Sequence, residues 1–111
     1  MTDQTAGQKK SRRQMLEEFV ANKPDNDFSR YALALECMLS GDSRATDLHF
    51  RALLERNPDY VPAYLMYGQF LARESRTGEA RRVLSTGVQA ATRVGNQHAR
   101  CEMEALLNDL G

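Results

Sequence analysis

Residues 23–37 read KPDNDFSRYALALEC and residues 57–71 read NPDYVPAYLMYGQFL, so a Pro-Asp turn followed by an apolar stretch returns after 34 positions. Side chains around the turn keep the same interval. Leu16, Phe50 and Leu84 fall in register, as do Phe19, Leu53 and Gly87, and then Val20, Leu54 and Val88. Ala34 is matched by Gly68, and Tyr31 by Leu65. A fixed period of this length marks a stack of helical hairpins, each burying its apolar face only against its neighbours. The activity such a stack implies is binding.

Working outward from the two turns, the apolar spacing predicts six helices and no strand. A first helix is expected over 11–21, with Met15, Leu16, Phe19 and Val20 on one stripe. Pro24 ends it, and Asp25-Asn26 caps a second helix over 27–40 that carries Phe28, Tyr31, Leu35, Met38 and Leu39. Gly41-Asp42 turns the chain into a third helix over 43–56, burying Leu48, Phe50, Leu53 and Leu54 in differing degrees. The fourth is expected over 60–74, with Pro62 in its first turn and Tyr64, Tyr67, Gly68 and Leu71 on its packed face. Thr77 is read as the cap of a fifth over 78–93, containing Ala80, Val83, Leu84 and Val88. Gly95-Asn96 separates a last helix over 97–110, with Ala99, Met103, Leu106 and Leu110 on one stripe and Leu107 beside it. Gly68 and Ala34 are small where paired helices cross, letting axes approach to ~8–10 Å.

The composition suits one small domain. Fifteen basic and fifteen acidic residues cancel over 111 residues, which removes any general attraction to nucleic acid or anionic membrane. Locally the charge alternates: +3 over 1–13, −4 over 14–60, +4 over 61–100 and −3 over 101–111. The stretch 1–10 is polar and aperiodic and reads as a flexible tail. It has no apolar run of the secretory kind, and no window is long and apolar enough for a membrane span. Cys37 and Cys101 lie far apart inside helical patterns and read as reduced, buried thiols. The expected location is the cytoplasm.

Within each unit the succession of large apolar, Gly/Ala, Ala, aromatic and Pro resembles the tetratricopeptide repeat family. In 61–94 the matching residues are Tyr64, Tyr67-Gly68, Leu71, Ala80 and Leu84; in 27–60 they are Leu33-Ala34, Gly41, Phe50 and Pro58. Arg30 stands where the family favours tryptophan, Thr46 replaces the mid-repeat alanine, and Gly87 replaces a later one. The resemblance implies an all-α fold of antiparallel hairpins stacked as a short right-handed solenoid. It would comprise a half repeat at 11–26, repeats at 27–60 and 61–94, and a capping helix at 96–110. It also implies a concave wall built from the first helix of each hairpin. That wall would present Tyr31, Leu35, Met38, Leu65, Met66, Gln69 and Arg73 as a groove for a peptide or helix of another protein. The competing reading makes Leu35, Met38 and Leu65 further core. A second functional class is a self-associating protein whose groove or terminal helix is covered by another copy. A monomer or weak homodimer is expected; a tight dimer would favour the second class.

The carboxylate clamp used by some relatives is not expected. Its positions fall on Tyr31, Leu35, Met66, Asn96 and Arg100, and only Arg100 carries the required donor. Catalysis has little support either. His98, Cys101 and Glu102 share a helix face but lack the ligands that would complete a zinc site, and His49 is isolated. Ser85-Thr86-Gly87 lies inside a helix and is no phosphate loop. The basic clusters Lys9-Lys10-Arg12-Arg13 and Arg73-Arg76-Arg81-Arg82 lack aromatic interleaving, so nucleic acid is not an expected partner. No cofactor is called for.

Overall fold

The computed structural model describes residues 9–111; the rest of the expected tail, residues 1–8, lies outside the described residues. Among the described residues there are six helices and no strand: α1 Arg12–Asn22, α2 Asp27–Leu39, α3 Ser43–Arg56, α4 Val61–Arg73, α5 Thr77–Val94 and α6 Gln97–Leu110. Consecutive helices pack as neighbours, giving a body of 57 × 28 × 20 Å, elongated as a stack requires.

Local chemistry explains where each helix begins. Ser11 and Gln14 form a reciprocal capping box, the Gln14 N–H donating to Ser11 Oγ at 3.1 Å and the Ser11 N–H to Gln14 Oε1 at 2.9 Å. Asn26, Asp42 and Asn96 each accept a backbone N–H at the start of α2, α3 and α6, at 2.9, 3.1 and 3.0 Å. Three turns close alike: the N–H groups of Asp42, Arg76 and Asn96 reach back to the carbonyls of Cys37, Leu71 and Ala91. The residue before each donor is left-handed, with φ of 80° at Gly41, 63° at Ser75 and 77° at Gly95. This geometry corrects the expectation for Thr77. The residue after the left-handed position occupies the cap, so Arg76 stands there without a side-chain cap and Thr77 is already helical.

The crossing inferred from Ala34 and Gly68 is close. A Cβ added at Gly68 would lie 2.4 Å from Leu84 Cδ2, so α5 rests directly on the α4 backbone. Around it Ala34, Phe50, Leu53, Ala63, Tyr67, Phe70, Leu71 and Ala80 form the central core, with Phe50 and Tyr67 stacked at 5.0 Å. A second cluster gathers Val61, Tyr64, Leu84, Ala90, Ala91, Ala99 and Met103 where α6 folds back. A smaller one, Val20, Leu33 and Cys37, joins α1 to α2. Thr46 fits the fully buried site of an alanine because its hydroxyl donates to the Asp42 carbonyl at 2.8 Å. Gly87 is also required by packing: a Cβ there would lie 2.5 Å from both Met103 Sδ and Tyr64 Cβ.

Several apolar residues assigned to helix stripes are not core. Met15 and Phe19 on α1, Phe28 and Leu39 on α2, and Leu48 on α3 are exposed. Each sits on a helix side with no neighbour, so periodicity alone overstated the packed face. Cys37 is fully buried, whereas Cys101 lies on the open side of α6 and is exposed. The period changes too. Helix starts at Asp27 and Val61 are 34 residues apart, but those at Val61 and Gln97 are 36 apart, because α5 runs to 18 residues.

Candidate interaction surface

Curvature follows from which helices touch. α2 packs against α4 and α4 against α6, whereas no Cα atom of α3 comes within 8 Å of α5. The odd spacing spreads the second helices of the hairpins and draws the first helices together. The face bearing α2, α4 and α6 is therefore the inner one. On the outer side the spread opens a depression of about 460 Å³, floored by Leu54, Tyr64, Leu71 and Val83. Its rim holds Arg51, Glu55, Glu79 and Arg82.

With the helix starts aligned, the inner face becomes a grid. One row crosses it as Phe28, Pro62 and His98, the next as Tyr31, Leu65 and Cys101. The middle row is Leu35, Gln69 and Ala105, and the last Leu39, Arg73 and Asp109. The character changes across the grid, from large and apolar or aromatic on α2, through mixed on α4, to small or polar with one acid on α6.

The seven side chains expected to form the groove are partly brought together. Tyr31 is half-buried, its ring 5.3 Å from Tyr60 and 6.5 Å edge-on to Phe50, and burial raises its phenol above the usual range. Leu35, Met38 and Met66 are half-buried and rest on the central core with one side open. Arg73 is exposed and reaches Met38, Nη2 lying 3.6 Å from its sulfur, so α2 and α4 meet at that end of the face. Gln69 is half-buried in the middle row. Leu65 is drawn away from the others: it packs against the second cluster, on the side towards α6. Two residues were missed as surface. Phe28 is 70% exposed and Leu39 78% exposed, the most open large apolar side chains among the described residues. Their signal was present, since 28, 31, 35 and 39 lie on one side of a helix.

The most polar part of the interior lies elsewhere. Tyr67 donates to Asp47 Oδ1 at 2.8 Å and accepts from Arg51 Nε at 3.2 Å. Arg76 spans Asp47 at 3.0 Å and Glu79 at 2.8 Å. Burial, and then the Asp47 acceptor, push the Tyr67 phenol up to about 12, so it remains a donor and ties α4 to α3, while Arg76 links Asp47 to Glu79 of α5. Among the described residues no group of three or more His, Cys, Asp or Glu side chains is placed to hold a metal ion. His98 Nε2 lies 3.5 Å from Glu102 Oε1 on the exposed side of α6. Among the described residues no helix is long and apolar enough to cross a membrane.

No protein-family model matches the chain, and no curated protein matches it. Solved structures do. A tetratricopeptide repeat domain protein from Salinibacter ruber, in its solution structure, is 30% identical. The match covers 79% of this chain and 89% of that one, at a TM-score of 0.75. A crystal structure of a tetratricopeptide repeat domain protein from the same organism is 29% identical, covering 78% and 96% at a TM-score of 0.71. The solution structure of protein BPP2914 from Bordetella parapertussis is 26% identical over 92% and 89%, at a TM-score of 0.78.

Proposed function

The chain belongs to the tetratricopeptide repeat family, and from that premise we propose that it is a non-catalytic adaptor holding a peptide or helix of another protein against its inner face. The fold is a protein-interaction repeat fold. The observation that carries the finer reading is the apolar stripe of α2. There Phe28 and Leu39 stand open at the two ends of a row whose middle members, Tyr31 and Leu35, rest on the core. From residue 28 to 39 the row runs about 16 Å at the ~1.5 Å rise of a helix, enough to seat three turns of an amphipathic partner. Rigid aromatic and aliphatic anchors of this kind usually dominate interface energy. Met38 and Met66 supply adaptable contacts beside them. Gln69 and Arg73 give the polar contacts that fix orientation. Leu65 contributes less than its neighbours because the C-terminal cluster already covers one side. Neither nucleic acid nor membrane is part of this reading, and the location proposed is the cytoplasm.

The test is selection of binders from a random peptide library, followed by mapping of the bound peptide by NMR shifts. Phe28→Glu and Leu39→Glu should abolish capture while leaving the circular dichroism unchanged, since both side chains are already in water. Binders whose shifts cluster on the outer depression between α3 and α5, or whose affinity ignores both substitutions, would place the site elsewhere.

A further inference from the structure

The two ends of the stack are finished differently. At the positions of α2 and α4 that receive the following helix stand Ala34 and Gly68. The equivalent position of α6 is Glu104, bound at 3.2 Å by Arg100. That end is polar and needs no cover.

The other end is not. Met15, Leu16 and Phe19 of α1 are in register with Val83, Leu84 and Gly87 of α5, the face on which α4 lies. In α3 the corresponding Phe50 and Leu53 are fully buried. On α1, where no preceding helix is present among the described residues, Met15 is 54% and Phe19 47% exposed. A solenoid end with an apolar outer face requires a cover.

We propose that α1 of a second copy of this chain covers the face, the two helices running antiparallel about a two-fold axis. Two observations choose this arrangement. End-to-end stacking would set Met15 and Phe19 on the Arg100–Glu104 ion pair, desolvating charge without compensation, so the contact joins like ends and closes. The helix is also self-complementary in charge. Lys9, Lys10, Arg12 and Arg13 lie at its beginning and Glu17 and Glu18 in its second half. Antiparallel pairing therefore brings each basic end towards the other copy's acids. Within one chain Lys10 reaches Glu18 at 2.7 Å, and this exposed pair can be shared across the axis; Arg12 is held by Glu36 at 3.1 Å and Arg13 by Glu17 and Asp42 at 3.0 Å on the side towards α2 and α3. A three-turn contact is small, and the dimer is weak and salt-sensitive. The assignment is independent of the inner-face reading, since it uses the outer side of α1 and none of the residues of the α2 stripe.

Sedimentation equilibrium over a series of concentrations tests it. The chain should show reversible monomer–dimer exchange. Phe19→Glu should weaken it at least ~10-fold with an unchanged melting temperature, while Leu39→Glu leaves it intact. Because a substitution could act through folding, a second arm uses Met15→Cys in a Cys101→Ser background. Near a two-fold axis it should form an intermolecular disulfide with diamide, whereas Asn108→Cys in the same background should not. A monomer at every concentration, a dimer lost with Leu39→Glu but not Phe19→Glu, or equal cross-linking of both cysteine variants would overturn the proposal.

Discussion

At Gly87 a single methyl group decides whether the last helix can dock. The added Cβ would meet Met103 Sδ and Tyr64 Cβ, each at 2.5 Å. Met103 is flexible, but the Tyr64 Cβ is fixed to the α4 backbone and cannot yield without moving the helix. Gly87→Ala should therefore destabilise by ~1–3 kcal/mol, the usual cost of overpacking a full core, despite the better helix propensity of alanine. Gly78 is the control. It lies on the exposed start of α5 with nothing within 4 Å of a Cβ, so Gly78→Ala should be neutral or stabilising by up to ~1 kcal/mol. Urea denaturation midpoints of the two variants should move in opposite directions or differ clearly in size; equal midpoints would contradict the close approach. Sequence reading had the residue and its register but saw only a departure from a repeat pattern. The reason lay on two other helices.

Among the elements, α6 has the largest consequence for the rest. It contributes Ala99 and Met103 to the second cluster and packs with Leu106, Leu107 and Leu110 against it. Burial of one side chain the size of Met103 is worth ~1.5–3 kcal/mol, and the helix supplies several such contacts. A chain ending at Gly95 would leave Tyr64, Leu84 and Val88 without their cover. It should aggregate, or melt far below the full chain, when followed by light scattering and thermal circular dichroism. A soluble truncated chain of unchanged melting temperature would mean that α6 is not part of the cooperative unit. The acids of α6 matter less, because Glu102 and Asp109 are exposed and the Arg100–Glu104 pair is partly solvated.

At the scale of the whole molecule, ion pairs and capping bonds within and between the hairpins set the response to acid. Asp27 is held below the usual carboxylate range, first by the Asn57 amide and then by Arg56. Asp42 is lowered by the Ala45 N–H and by Arg13, and Glu79 by Arg76. Each binds protons more weakly folded than unfolded. Stability is therefore full above about pH 4 and falls as pH drops through the lowered values. His49 is also lowered from 6.5, mainly by burial, with Arg30 and Arg13 adding to the effect and Glu17 and Asp42 opposing it. Its share of stability is present above about pH 6.5 and is lost as the pH falls below that value. The melting temperature should stay level between about pH 7 and about pH 8, decline gently below about pH 6.5 and fall steeply below about pH 4. His49→Gln should remove the gentle decline alone. A His49→Gln profile that still declines between the two ranges would assign the effect to another group.

The chain by itself determined the number of helices, their punctuation and their order. Pro24, Gly41, Pro58 and Gly95, with caps Asn26, Asp42 and Asn96, act through bonds spanning a few residues, and those are written locally. It also determined the crossing of α4 with α5, because smallness at Gly68 and bulk at Leu84 recur with the repeat. Tyr31, Leu35, Met38 and Met66 all pack against the central core, and Arg73 reaches Met38. What only the tertiary structure decided was which apolar stripe has a neighbour. Phe28, Leu39, Met15 and Phe19 keep the same spacing as buried residues, and periodicity records the face of a helix but not what lies opposite it. The 36-residue step to α6, the clash that demands Gly87 and the withdrawal of Leu65 towards the C-terminal cluster all depend on where a distant helix comes to rest. Hydrophobic contact is non-directional, so the partner of each face is fixed only once the whole stack is packed.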